Sequence, residues 1–407
     1  MLRSCVAVGM FFLFLPGVLY GQSAAVTPSL LTTHPLGMLV SRINPNFQET
    51  SLREPYFNLA FSSGNVWLPP VGGYIPGDPD IRQLLEGVIW YERKNIFNPR
   101  YMSGQNLSFS ADGILRELRL SYIRPVSRTQ QLSLGFRAYQ LGSGKPPFSL
   151  MISDVFIEWF HTHITRDEDP FARKVYGFNR AGFHFVDEKG RQFVMNPGDF
   201  IFPGMELDYH YFPQWADRLA GIHLNAGLHL GFNTSRYNSS SDLGFSLAGT
   251  RIFVTGRTHS LKLSAGYSVL LPSLWGNSAA FRFSNAGVIK TISWEIAFRK
   301  AIGTKTNFSV GLYYLFQSPY RKREEYRSIV LYGPDISSHW HYALSHLYKS
   351  AENWSLVFGL EKEHYVVSVY LREDFKVNNA PDLQTGIQLS FPVSSASKII
   401  SPPGRGF

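Results

Sequence analysis

GILRELRLSYI, residues 113–123, is the stretch on which the fold turns. Leu115, Leu118, Leu120 and Tyr122 sit among Arg116, Glu117, Arg119 and Ser121, and from Leu118 onward the alternation of apolar and polar residues is strict. Successive side chains of a strand point to opposite faces, so such a segment reads as a strand with one apolar and one polar face. Three other stretches repeat the pattern: QQLSLGFRAYQ (130–140), GIHLNAGLHLG (221–231) and TNFSVGLYYLFQ (306–317). Weaker versions fall at 56–62, 83–92, 203–212, 243–254, 259–270, 290–299, 353–361, 364–372 and 382–391. Segments of this length, with Gly and Ser on the polar face, match the strands of a transmembrane antiparallel β-barrel. A soluble β-sandwich alternates too, but its filled core would call for bulk where this chain has Gly and Ser. Single-chain bacterial barrels have even strand numbers, so the expectation is an all-β barrel of about 12 strands, within 10–14.

The composition points the same way. Aromatic residues make up 15% of the chain, with 32 Phe and 21 Tyr, and charged residues only 17%, against about 25% in ordinary soluble domains. Downstream of residue 26 every apolar run is interrupted by Arg, Glu, His, Asn or Gln, so no spanning helix is expected. A chain of this kind enters a bilayer as a closed barrel or not at all. The net charge of +9 is spread along the chain rather than gathered in a run. No nucleic-acid partner is expected of an exported protein, and the charge would suit anionic headgroups or an anionic solute.

The ends set the compartment. Met1 and Arg3, the apolar run Val6–Val18 and the small residues from Gly21 to Ala25 have the layout of a secretory signal peptide over 1–21. Cys5 is the only cysteine and would leave with it, which excludes disulfides, thiol catalysis and Cys-zinc sites from the mature chain. Residues 22–55, with Pro28, Pro35, Pro45 and Pro55, read as an extended N-terminal segment. The barrel domain is expected over 56–391. DLQTGIQLSF (382–391) closes on Phe391, as a last strand presented to the barrel-insertion machinery would, and 392–407 form a tail. Together these features place the protein in the outer membrane of a Gram-negative bacterium, with outer-membrane lipid as its surroundings.

The longest connection, 141–202, contains LMISDVFIEWFHTHI (150–164). Its apolar residues Val155, Phe156, Trp159 and Phe160 fall at helical spacing, which predicts one short amphipathic helix, lying on the membrane interface or plugging the lumen. Asp154, Glu158 and His161 would share the opposite, solvated face, with His163 close by. Glu158 and His161 are the weak catalytic candidates, and Asp154 and His163 binding candidates. His223, Asn225 and His229 alternate on one strand face and would line the lumen. Arg321, Lys322 and Arg323, just beyond a strand, are candidates for contact with lipopolysaccharide phosphates. No spacing matches a known metal motif, so neither metal nor cofactor is expected. His259-Ser260, Ser338-His339 and Ser345-His346 are adjacent pairs whose side chains would diverge on a strand, which disfavours a serine hydrolase.

HPLGMLVSRINPNF (34–47) and SDVFIEWFHTHI (153–164), the latter followed by Arg173 and Asn179, resemble an uncharacterised family of bacterial outer-membrane barrel proteins, a domain-of-unknown-function group. That resemblance implies a barrel in the outer membrane and no particular activity. The leading functional expectation is a channel or transporter for small solutes, with 141–202 as a constriction. The alternatives are an enzyme or binding protein acting on lipid or envelope glycan, and a structural barrel with a filled lumen.

Overall fold

In the computed structural model the described residues are 28–90, 93–101, 104–144, 153–165, 177–216, 221–254, 258–276, 284–303, 305–332, 347–373 and 383–393. The expected signal peptide and most of the C-terminal tail therefore lie outside the described residues. Twelve antiparallel strands close into a barrel: β1 (Tyr56–Ile75), β2 (Gln105–Ser127), β3 (Gln130–Gly142), β4 (Phe200–Tyr211), β5 (His223–Ser235), β6 (Asn238–Val254), β7 (His259–Trp275), β8 (Ile289–Gly303), β9 (Thr306–Gln317), β10 (Ala351–Lys362), β11 (Tyr365–Glu373) and β12 (Gln384–Pro392). Each pairs with its neighbour in sequence. Closure comes from β1, which pairs with β2 on one side and with β12 on the other, from Tyr56↔Pro392 to Gly64↔Gln384. Pro69 and Pro70 have no N–H to give the ladder, and the β1–β2 register shifts between Leu68 and Val71.

Of the segments expected to be strands, 83–92 is not one in the barrel. Pro79–Glu86 is a helix, started by Asp78, whose side chain accepts from the Asp80 N–H, and by Pro79 in its first turn. The capping residues outweigh the weak alternation that follows them.

The two faces of the wall separate as the period requires. Leu118, Leu134, Phe202, Leu228, Phe245 and Ile296 are exposed on the outside. The rings of Trp294, Tyr314 and Trp354 cluster there with centroids 4.9–5.5 Å apart, and Phe57 and Phe391 pair at 5.5 Å near the other end. An apolar band bounded by aromatics is what a lipid-facing barrel surface needs. No described helix is long and apolar enough to cross a membrane. One barrel end carries the tight turns 128–129 and 363–364, and the other the long connections 76–104, 143–199 and 318–350.

Residues 28–52 occupy the lumen. One arm rises toward the long-loop end: Ser29 N donates to Gln388 (2.9 Å), Leu31 N to the Tyr370 hydroxyl (3.0 Å), and Leu31 O accepts from Arg372 (2.7 Å). The tip is a 3-10 helix, Pro35–Leu39, every residue of which is buried. A second arm descends: Leu39 O accepts from Asn238 (2.7 Å), Ser41 N donates to Asp242 (2.8 Å), and Phe47 O accepts from Thr250 (3.2 Å). The backbone of this segment has no strand partner, so the polar side chains of the wall satisfy it instead. Its tip packs into the main apolar cluster with Phe109, Phe183, Phe193 and Tyr320. Phe183 and Phe193 come from a short hairpin, Gly182–Val186 and Gln192–Met195, that extends the β2 edge over the mouth.

The small residues on the luminal face now have a physical purpose. A Cβ on Gly231 would collide with Ser41, one on Gly244 with Ile43, and one on Gly266 with Pro45, so three neighbouring strands leave a track for the descending arm. Gly244→Val is expected to destabilise the folded barrel by about 1–3 kcal/mol through overpacking, measured as a lower urea midpoint. An unchanged midpoint would mean that the arm does not press on that wall.

Candidate functional site

Among the described residues, the densest set of chemically capable groups lies in the lumen on β4, β5 and β6. Register assembles it. Asp208 is paired with His229, which is paired with Gly244; in the next row His210 is paired with Gly227, which is paired with Ser246. Asp208 and His210, two apart on a strand, share the luminal face. Asp208 Oδ1 lies 2.7 Å from His229 Nδ1, and His229 Nε2 lies 2.8 Å from Ser246 Oγ. His210 Nδ1 is 3.1 Å from Asn225 Oδ1, and the two imidazoles meet edge to face at 5.4 Å. His229, His210 and Asn225 are buried, Asp208 less so. Gly227 is the floor: a Cβ there would sit 2.6 Å from His229 Nε2 and 3.0 Å from His210 Nδ1.

An Asp–His–Ser hydrogen-bonded chain is the order in which a serine nucleophile is activated. Here Ser246 is buried. The cavity that reaches this region, about 140 Å³, is bordered by His210 together with Asn58, Arg119, Ser121, Gln131 and Gln388, and not by Ser246. Acyl transfer at Ser246 therefore has no substrate position in this arrangement.

Beside this cluster runs an ionic network that ties the luminal segment to the wall. Arg42 meets Glu117 at 3.1 Å, and its N–H donates to Glu206 (3.0 Å). Glu206 also pairs with Arg119, and with Arg137 at 3.6 Å. Arg137 donates to Val40 O and to Asn233 Oδ1 (2.8 Å), and the Tyr139 hydroxyl donates to Glu117 (3.0 Å). Burial works against the charged form of Arg42, but Glu117, with Tyr139 and Glu206 behind it, outweighs burial and holds the guanidinium pKa above its ordinary value.

The residues expected from sequence fall in three groups. His223, Asn225 and His229 lie on one face of β5; His229 and Asn225 belong to the cluster, and His223 is partly buried nearer the strand end. Asp208 and His210, which complete it, were not singled out from sequence. Their signal was the Asp-x-His spacing on the weaker strand segment 203–212.

The helix Asp154–Phe160 forms, followed by a π-turn over His161–Thr165, but its acidic face, expected to be solvated, is covered. Asp154 and Glu158 are buried, and Val155, Trp159 and Phe160 are exposed. The reason is position. Ser62 points into the lumen at Ser29 O (3.3 Å), so alternation turns Asn65 and Trp67 outward. Asp154 accepts from Asn65 Nδ2 (3.1 Å) and from Asn179 N (2.7 Å), and Ile157 packs on Trp67. The helix thus lies on the outside of the wall, and it does not plug the lumen. His163 is exposed, stacks on Trp159 and accompanies neither carboxylate. The side chain of His161 lies outside the described residues.

Arg321 is corrected as well. It is fully buried, pairing with Glu188 and with Glu325 at 3.1 Å, so it braces the mouth and does not meet lipopolysaccharide. Lys322 and Arg323 are exposed.

No family model and no curated protein matches this chain. Among solved structures the chain is similar to the NanC porin, at 7% identity over 69% of this chain and 94% of that one, with a TM-score of 0.34. It is similar also to LpxR from Salmonella typhimurium (10% identity, 83% and 100% covered, TM-score 0.34) and to a bacterial polysaccharide outer membrane secretin (8%, 84% and 99%, TM-score 0.33). Overlaps of this size transfer neither substrate nor activity. The resemblance carried by 34–47 and 153–164 accordingly reaches no further than the barrel.

Proposed function

We propose that the protein is an outer-membrane barrel with a filled lumen, closed to solutes, whose work is done at its surfaces rather than through a pore. The observation that carries this reading is the passage of residues 29–48 up and back through the lumen. Their backbone bonds to both sides of the wall, and Gly231, Gly244 and Gly266 are shaped to them. The expectation of a small-solute channel with a constriction in 141–202 gives way to an N-terminal plug.

Short periplasmic turns and long external loops are the rule for such barrels. The short-turn end and the cavity at His210 then face the periplasm, and the hairpin 182–195 faces outward. The exposed Val155, Trp159 and Phe160 continue the apolar belt and would rest in lipid, while Lys322 and Arg323 would be placed for lipid phosphates. The full chain reconstituted in planar bilayers should give no steady conductance above the bare bilayer. Regular single-channel steps from the intact chain would reject the closed-barrel reading and restore the channel.

A further inference from the structure

We propose that Asp208, His210 and His229 form a binding site for a borderline divalent cation of the Zn²⁺ class, entered from the cavity at the short-turn end. Each residue offers one ligand atom, and the three atoms lie within 4.8 Å of one another. Zn²⁺ bonds of 2.0–2.2 Å place tetrahedral ligands roughly 3.5 Å apart, so closure asks for about 1 Å of movement from side chains alone. Two imidazoles and one carboxylate are the donors that suit Zn²⁺ and its first-row neighbours, whereas Ca²⁺ and Mg²⁺ want all-oxygen shells.

Three further features belong to a built site. Gly227 lies beside His210 Nδ1 and His229 Nε2, so its missing side chain leaves room for the outer nitrogens, which face Asn225 and Ser246. The outer partners are in place: with Asn225 Oδ1 accepting from His210 Nδ1, the proton sits there and the His210 Nε2 lone pair is left for a cation. Ser246 Oγ meets His229 Nε2, so a cation would take the place of the proton between His229 Nδ1 and Asp208 Oδ1, now 2.7 Å apart. Entry is provided by the roughly 140 Å³ cavity, which touches the cluster at His210. A cation held there would bridge β4 and β5, with a remaining coordination position toward that cavity.

The test uses the full chain, folded in detergent and stripped with a chelator. Zn²⁺ is titrated calorimetrically, and Co²⁺ is titrated by its visible absorption, which reports low-symmetry nitrogen and oxygen coordination. One equivalent is expected, undisturbed by equal Ca²⁺ or Mg²⁺. His210→Ala and His229→Ala should each weaken binding by about 100-fold or more and abolish the Co²⁺ bands, and Asn225→Ala should weaken it by about 10-fold or more. Heat-modifiable migration on gels certifies that each variant is folded. His210→Ala leaves the Asp208–His229–Ser246 chain untouched and decides alone if His229→Ala does not fold. No saturable binding by the folded wild type would overturn the site, as would binding unchanged in folded His210→Ala.

Discussion

Deleting residues 28–48 should turn a sealed barrel into an ion-conducting one. The wall does not depend on this segment for its hydrogen-bond ladders, which run unbroken from β1 through β12 and back to β1. What the segment supplies is the filling. Without it the lumen would be lined by Glu117, Glu206, Asp242, Arg119, Arg137 and Arg372, alongside Ser and Asn. Water would enter to hydrate these charges, because holding an ion in a dry cavity, even beside a partner on the wall, costs roughly several kcal/mol. Eight strands leave room only for side chains and sixteen leave an aqueous channel, so twelve emptied of their plug leave a narrow pore. The hairpin 182–195 would lose its support as well, since Phe183 and Phe193 pack in one cluster with Leu36, Met38 and Leu39 at the tip. The measurement is single-channel recording of the folded deletion variant beside the intact chain. A folded variant as silent as the parent would mean that the long loops, and not the N-terminal segment, seal the barrel.

Much of this was legible because one periodicity governs the wall. Leu118, Leu120 and Tyr122 against Glu117, Arg119 and Ser121 is the two-faced pattern of a strand, and the luminal side is indeed the charged one. The plug was half legible. Prolines at 28, 35, 45 and 55 argue against long regular structure, but an extended chain bonded by side chains has no period of its own by which to be recognised. Gly and Ser on the polar face speak against the filled core of a soluble sandwich, but Gly231 and Gly244 are small because another segment presses on them. The helix was legible, and its two positions, on the membrane interface or in the lumen, stayed open for a similar reason. An amphipathic pattern says that two faces differ, and in a protein surrounded by lipid the apolar face is the one turned away from the protein. The cluster at His229 was invisible as a unit because register, which places Asp208 opposite His229, is a property of two strands and not of either sequence alone.

Arg42→Ala is expected to be among the most damaging single substitutions in the chain, costing about 3–5 kcal/mol. The side chain reaches Glu117 through two nitrogens, at 3.1 and 3.3 Å, and Ser29 Oγ at 3.2 Å, so one residue joins the descending arm, the ascending arm and β2. Glu117 is 1% exposed. Deprived of Arg42 it keeps the Tyr139 hydroxyl, a neutral donor unable to balance a buried carboxylate. The size of the loss thus comes from the charge left behind more than from the bond removed. That distinction is measurable. Glu117→Gln placed in the Arg42→Ala background removes the stranded charge and should recover part of the stability, giving a coupling of about 0.5–3 kcal/mol between the two sites. Arg42→Lys should fall between the parent and Arg42→Ala, because an ammonium group keeps the charge but cannot make the paired approach of a guanidinium. Urea unfolding of the barrel in lipid vesicles, followed by tryptophan fluorescence, reads the parent, Arg42→Ala, Glu117→Gln, the double variant and Arg42→Lys. Strict additivity of Arg42→Ala and Glu117→Gln would mean that the arms are held by burial of Leu31, Val40 and Ile43 alone, with the ionic network a passenger.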